Sequence, residues 1–169
     1  MLRRLAGVPG LALALTVFAA SSATSADDGV PFPDGFRDWF VVNSMTATKE
    51  SPVFGNVDGM HFIHVNAGGL PTLKKGGPFP YPDGTIFADD VHEFSMRDGA
   101  SVEGAKKFVT VMVKDAKKYA STGGWGFQVW VAGDPSKPRI PDTAHAITAC
   151  FICHTSQKAQ DYVFSTYIP

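Results

Sequence analysis

Cysteine is nearly absent: the 169-residue chain has two, at positions 150 and 153. One such pair cannot supply the disulfide framework that holds many small exported domains together. Long apolar runs are missing as well. Leu11 to Ala20 falls well short of the ~20 residues a membrane-spanning helix needs, and no other stretch could cross. Neither charge dominates, with 15 Lys+Arg against 16 Asp+Glu. There is thus no electrostatic footprint for nucleic acid. No internal repeat, low-complexity tract or linker divides the chain. What remains is one globular domain, and 13 Phe with 12 Pro predict aromatic packing and many turns.

The N-terminus reads as an export signal. Arg3 and Arg4 precede the short apolar stretch, and the small residues after it offer cleavage following Ala23 or Ala26. The expected organisation is a signal peptide over residues 1–26 and one domain over 27–169, exported to the periplasm and free of the membrane after cleavage. Loss of Arg3 and Arg4 leaves 13 basic residues against 16 acidic ones, a charge near −3.

Patterning along residues 27–169 is mostly of strand type. Phe36 to Phe40 spaces its apolar residues as one helical turn, with an extended run after it. His61–Val65, Thr85–Phe94 (bulged at Asp89–Asp90), Phe108–Val113, Trp125–Val131 and a last run over Tyr162–Tyr167 read as strands. Residues 66–84 read as loop, and Lys114–Ala120 as a short helix stopped by Gly123-Gly124. The expected fold is α+β, a mainly antiparallel β-sheet with short helices against it.

Cys150-Phe151-Ile152-Cys153-His154 is C-x-x-C-H, the signature of c-type haem attachment. Thiols three positions apart on a helical turn lie on one side of the chain and can add to the two haem vinyl groups. The next residue then turns its imidazole under the iron. A thioredoxin-type redox pair competes, but that motif needs more chain behind it than the 15 residues following His154. A zinc site wants four ligands, and His61, His64, His92 and His145 show no paired spacing for it. A plain disulfide leaves His154 without a role.

Candidates for the sixth iron position are Met45, Met60, Met96, Met112 and the four other histidines, none nominated by a motif. His61 and His64 point to opposite faces of their strand. In Trp125–Val131, Trp125, Phe127, Val129 and Val131 share one face, and Gly126, Gln128 and Trp130 the other. Gln128, the polar residue of this strand, either meets solvent or hangs over the haem to hydrogen-bond a small molecule. Arg37, Arg97 and Arg139 are candidates to pair with haem propionates.

These residues together resemble the cytochrome P-460 family. The resemblance rests on C-x-x-C-H near the C-terminus with Asp161-Tyr162-Val163-Phe164-Ser165 behind it, and on Met112-Val113-Lys114-Asp115 leading to Lys118-Tyr119-Ala120. Gly123-Gly124-Trp125-Gly126-Phe127, Pro82-Asp83-Gly84-Thr85 and Phe36-Arg37-Asp38-Trp39 complete it. The resemblance implies a periplasmic, sheet-rich homodimer with one covalent haem c attached through Cys150 and Cys153. The iron would be five-coordinate with His154 as its proximal ligand. One branch of the family oxidises hydroxylamine and ties a lysine to the porphyrin; Lys74 or Lys75 best matches that lysine. The other branch, the cytochromes c-prime-beta, binds nitric oxide or carbon monoxide in a distal pocket capped by phenylalanines, for which Phe62, Phe87 and Phe94 are candidates. Gln128 stands where relatives carry Glu, and an amide can orient a ligand but cannot accept its proton. The expected function is to bind, and for the first branch to oxidise, hydroxylamine or nitric oxide, with electrons leaving to a soluble redox protein. A simple six-coordinate electron carrier is the further alternative.

Overall fold

The computed structural model describes residues 29–169. The expected signal peptide lies outside the described residues. The chain forms a five-stranded antiparallel sheet in which sequence order is spatial order. The strands are β1 (Phe40–Ala47), β2 (Gly59–Val65), β3 (Ile86–Arg97), β4 (Ala100–Lys114) and β5 (Trp125–Val131). This is the expected α+β sheet with short helices. Trp125–Val131 matches its predicted span, because a run of alternating large side chains between turn residues states its own register.

β3 and β4 extend well past the predicted strands. Asp98 and Gly99 join them with positive φ values of 51° and 82°, the two-residue hairpin turn whose twist suits the flanking strands. The outer half of this hairpin is largely exposed, so it carries no apolar alternation to announce it. The bulges also differ from expectation: pairing shifts on either side of His92, not at Asp89–Asp90.

Both faces of the sheet are covered. On one, here the near face, Val42, Val65, Leu73, Tyr81, Phe87, Met112, Trp125 and Phe127 form a core with Cys150 and Phe151 packed against it. The far face gathers Val30, Phe36, Ala88, Val109, Val111, Tyr119 and Trp130. Phe87, Met112 and Phe127 are direct cross-strand partners, so the near-face core is a row of large side chains running across the sheet. The predicted alternation of β5 holds: Phe127 lies near, Trp130 far.

Three local readings are corrected. Residues 66–84 contain a helix, α1 (Leu70–Lys75), with proline in its first turn. It ends at Gly76, in the left-handed conformation (φ 64°), whose N–H returns to the Leu73 carbonyl. The Lys114–Ala120 segment makes a single turn, capped by Asp115 Oδ1 on the amides of Lys117 and Lys118, before a 3₁₀ turn at Ala120–Thr122. Residues 162–167 form no strand; Asp161 and Tyr162 have φ values of 52° and 67°, which throw the chain across the near face. The free edge of β5 is instead closed by residues 137–139, whose backbone bonds to Val131 and Val129.

Candidate functional site

The C-x-x-C-H segment lies in a helical run laid against β5. Asp142 opens it, its Oδ1 accepting from the His145 amide at 2.9 Å. α2 (Thr143–Ala146) then widens into a π turn at Ile147–Phe151, followed by α3 (Ile152–His154) and a 3₁₀ turn at Thr155–Gln160. The π turn holds Cys150, and such turns are frequent at functional sites. Both cysteines are free thiols, Cys150 half-buried and Cys153 exposed.

Burial, helped by the nearby Cys153, pushes the Cys150 thiol up to about 11. A thioredoxin-type centre needs the opposite, a leading thiol lowered by a helix N-terminus or a cation. Among the described residues no group of three or more His, Cys, Asp or Glu is arranged to hold a metal ion, which leaves a zinc site unsupported.

His154 is the most constrained group of the segment. Its Nδ1 donates to the Tyr162 carbonyl at 2.7 Å. That bond fixes the tautomer and leaves the Nε2 lone pair as the donor, the arrangement of a metal-ligating histidine. The ring sits between Phe127 and Phe164, with centroids at 5.1 Å to each. Burial draws its pKa below the ordinary histidine value, and the Tyr162 carbonyl only partly offsets this. The imidazole is therefore held neutral, as a ligand must be.

The carbonyl that holds His154 is itself anchored by a network built over long sequence separations. Asp161 receives Lys114 Nζ at 2.7 Å on Oδ1 and the Tyr81 amide at 2.8 Å on Oδ2. Its own carbonyl accepts from the Trp125 indole at 2.8 Å. Lys114 also donates to the Gly123 carbonyl and lies 4.9 Å from the Trp125 ring centroid. A charged pair this buried (3% and 7% exposed) is sustained because its remaining donors and acceptors are satisfied. It fixes the left-handed turn at residues 161–162, and so delivers the Tyr162 carbonyl to His154.

The other predicted residues are dispersed. Gln128 neither meets solvent nor projects from the near face. It is 3% exposed on the alternate face of β5 from Phe127, with its Nε2 donating to the Ile140 carbonyl and its Oε1 accepting from the Ile140 and Val129 amides. Three bonds to backbone make it a strut for the segment that closes the sheet edge. Lys74 and Lys75 are exposed in the last turn of α1. The Lys74 Nζ lies 5.0 Å from the Phe40 ring centroid and 5.7 Å from that of Tyr167. Both lysines border a groove of about 280 Å³ shared with Tyr81, Gln160 and Tyr167. Phe62 packs on His92 at the far face, Phe87 belongs to the core beside Tyr81 and Trp125, and Arg37 pairs with Asp90.

The near face also carries polar residues that sequence reasoning passed over. Asn43, Ile63 and Asp89 are cross-strand partners in one row. Asn43 Oδ1 and Asp89 Oδ1 are buried with no hydrogen-bond partner. Asp89 Oδ2 is held by His61 Nδ1 at 2.7 Å, and His61 Nε2 donates to the Val57 carbonyl at 2.8 Å. Unpaired buried acceptors cost about 1–3 kcal/mol each, so such atoms on the face that bears His154 fit a site completed by a bound group.

Two thiols and a tautomer-fixed imidazole on one helical run, above a sheet face with unpaired acceptors, are a donor set that suits a haem. No curated protein matches this chain. Residues 33–165 match the family described as Cytochrome P460. That match spans most of the chain, including Cys150, Cys153 and His154, and the protein therefore belongs to the cytochrome P460 family of haem-binding cytochromes.

Proposed function

We propose that this protein is an exported, periplasmic mono-haem c cytochrome that binds a small nitrogen compound, hydroxylamine or nitric oxide, at a five-coordinate iron. Cys150 and Cys153 attach the haem through thioether bonds, and His154 Nε2 is the proximal ligand. The haem, when bound, supplies the iron site and the capacity to accept electrons, which pass on to a soluble redox protein. The chain's own residues orient and seal. Tyr162 holds the His154 ring, Phe127 and Phe164 exclude water around it, and the Lys114–Asp161 pair keeps that assembly in register. The observation that carries this reading is the His154 Nδ1–Tyr162 hydrogen bond, which fixes the tautomer and keeps the Nε2 lone pair free to ligate.

Three of the four remaining histidines are engaged elsewhere, which supports an open sixth position. His61 has both ring nitrogens engaged, by Asp89 and Val57. His92 has both near acceptors, Asp90 on one side and Glu103 and Gly104 on the other. His64 meets Phe36 edge to face at the far face. Expressed with haem-maturation machinery, the protein should keep its haem through acid–acetone extraction and show a high-spin ferrous spectrum. A low-spin six-coordinate ferrous spectrum would overturn the open site, and loss of the haem on extraction would overturn the attachment.

A second reading, a gas-binding cytochrome without turnover, is favoured by the placement of the lysines. Both are exposed, and Lys74 is engaged with the rings of Phe40 and Tyr167. Intact-mass and peptide analysis divide the readings. A peptide joining residues 74–75 to haem marks the oxidising branch, and a simple haem adduct marks the gas-binding one. The homodimer is part of the proposal and is tested by sedimentation of the purified protein.

A further inference from the structure

Asp89 and His61 have no part in holding His154, and Asp89 differs from other carboxylates of the sheet. Its neighbour Asp90 faces the other way and meets Arg37, Lys106 and His92 at 3.0, 2.6 and 3.1 Å. Asp89 has one partner. His61, 1% exposed, donates from both ring nitrogens, to Asp89 Oδ2 and to the Val57 carbonyl. Donating from both nitrogens is the property of the imidazolium form. Burial opposes that form, but the hydrogen bond and charge of Asp89, with the Val57 carbonyl, outweigh it and raise the His61 pKa above the ordinary value. The clamp fixes the carboxylate plane and leaves Oδ1 buried and unpaired.

The clamp also lies in the neighbourhood of His154. Phe164, which meets the His154 ring edge to face, has its ring centroid 5.9 Å from that of Phe54. The Phe54 carbonyl accepts from the Val57 amide at 2.9 Å, and the Val57 carbonyl receives His61. On the sheet, Asp89 pairs with Ile63 of the near-face core, and Asn43, with its own unpaired Oδ1, pairs with Ile63 from the opposite side. The same face carries Phe127, against which His154 rests. Two oxygens without hydrogen-bond donors, Asn43 Oδ1 and Asp89 Oδ1, therefore lie on the sheet face against which Cys150 and Phe151 of the helical run pack.

We propose that Asp89 Oδ1 is a specificity-determining acceptor for the small molecule bound at the iron, selecting ligands that carry an N–H or O–H group, with His61 as its positioning residue. Nitric oxide and carbon monoxide have no hydrogen to donate and gain nothing from such an atom. Hydroxylamine has donors at both ends. The inference rests on the haem-binding reading above and adds to it the group that discriminates among its ligands.

The test uses the haem-loaded full-length protein without an electron acceptor and under argon. Hydroxylamine binding to the ferric form and carbon monoxide binding to the ferrous form are followed by absorption titration. Asp89→Asn should weaken hydroxylamine binding by about tenfold, the ~1.4 kcal/mol scale of one hydrogen bond to a charged acceptor, and leave carbon monoxide within twofold. His61→Leu should weaken hydroxylamine likewise, and His61→Asn, which returns an N–H donor near the Nδ1 position, should restore it. The His61 ring resonances of the haem-free protein give a readout independent of the iron, titrating at lower pH in Asp89→Asn than in wild type. Equal losses for both ligands, or no loss for hydroxylamine, would overturn the role of Asp89. If His61→Asn binds no better than His61→Leu, the positioning role falls. A wild-type protein that carries haem but shows any of these results defeats this inference alone, whereas one that never acquires haem defeats the haem reading with it.

Discussion

Asp89 and Asp90 are adjacent on β3 and point to opposite faces of one sheet, yet they live under different rules. Asp90 is 1% exposed at its side chain and is surrounded by Arg37, Lys106 and His92, with Lys106 also lying over the Phe36 ring. Every oxygen it brought into the interior has a cationic neighbour. Asp89 has the His61 clamp on one oxygen and nothing on the other. Asp90 is thus finished by the protein itself, whereas Asp89 keeps an oxygen that the chain does not satisfy. A protein keeps such atoms where something else is to be bound, because the same low dielectric that makes an unpaired acceptor costly makes a donor offered to it valuable.

The comparison is broken most sharply by removing the far-face carboxylate. Asp90→Ala strips the buried His92 and the largely buried Lys106 of their shared carboxylate and should cost about 3 kcal/mol in chemical denaturation, more than Asp89→Asn, whose amide oxygen still accepts from His61. Comparable losses would show that the two faces are built alike. On the near face, Asp161→Asn should cost about 3 kcal/mol, since Lys114 would be left buried and the Tyr162 carbonyl displaced. Its diagnostic is a changed iron–histidine stretch in the ferrous resonance Raman spectrum, which Asp90→Ala leaves in place. Gln128→Leu should cost about 1–3 kcal/mol through the orphaned Ile140 and Val129 groups, with ligand affinities within twofold of wild type. A larger affinity change would return Gln128 to the ligand pocket.

The smallest expected effect is a pH dependence. The His61 pKa is raised in the folded state, so the clamp contributes fully below the unfolded value of about 6.5 and is lost as pH rises through the folded one. The stability gap between wild type and Asp89→Asn should thus be widest on the acid side and close toward alkaline pH. His154 works in the opposite sense. Its pKa is lowered, chiefly by burial, so the haem-free chain loses stability as pH falls below about 6.5, where only the unfolded imidazole takes a proton. Comparing haem-free wild type, Asp89→Asn and His154→Phe across pH separates the two histidines. A gap between wild type and Asp89→Asn that widens with pH would contradict the His61 assignment.

Features that are local in the chain could be read before the fold was known. The β5 alternation, the β2 run and the C-x-x-C-H spacing each depend on neighbours within a few residues. Some local signals went unread: Pro71 and Gly76 bracket α1, and Asp98-Gly99 marks the long hairpin. The final run of aromatic and β-branched residues invited a strand, but a strand needs a partner edge. The left-handed pair Asp161–Tyr162 turns it across the near face. Gln128 shows the limit of alternation. Periodicity assigned it to a face, but not whether solvent, a ligand or the backbone of Ile140 would take its amide.

By itself the sequence determined the motif, its family likeness and the type of fold, because thiol spacing, side-chain period and turn residues act over a few bonds. Tertiary structure alone decided which atoms were left over. Lys114 meets Asp161 across 47 residues, Tyr81 meets it across 80, and His61 meets Asp89 across 28. No short-range pattern distinguishes Asp89 from Asp90; the difference is which face each points to, and what the rest of the chain has already placed there.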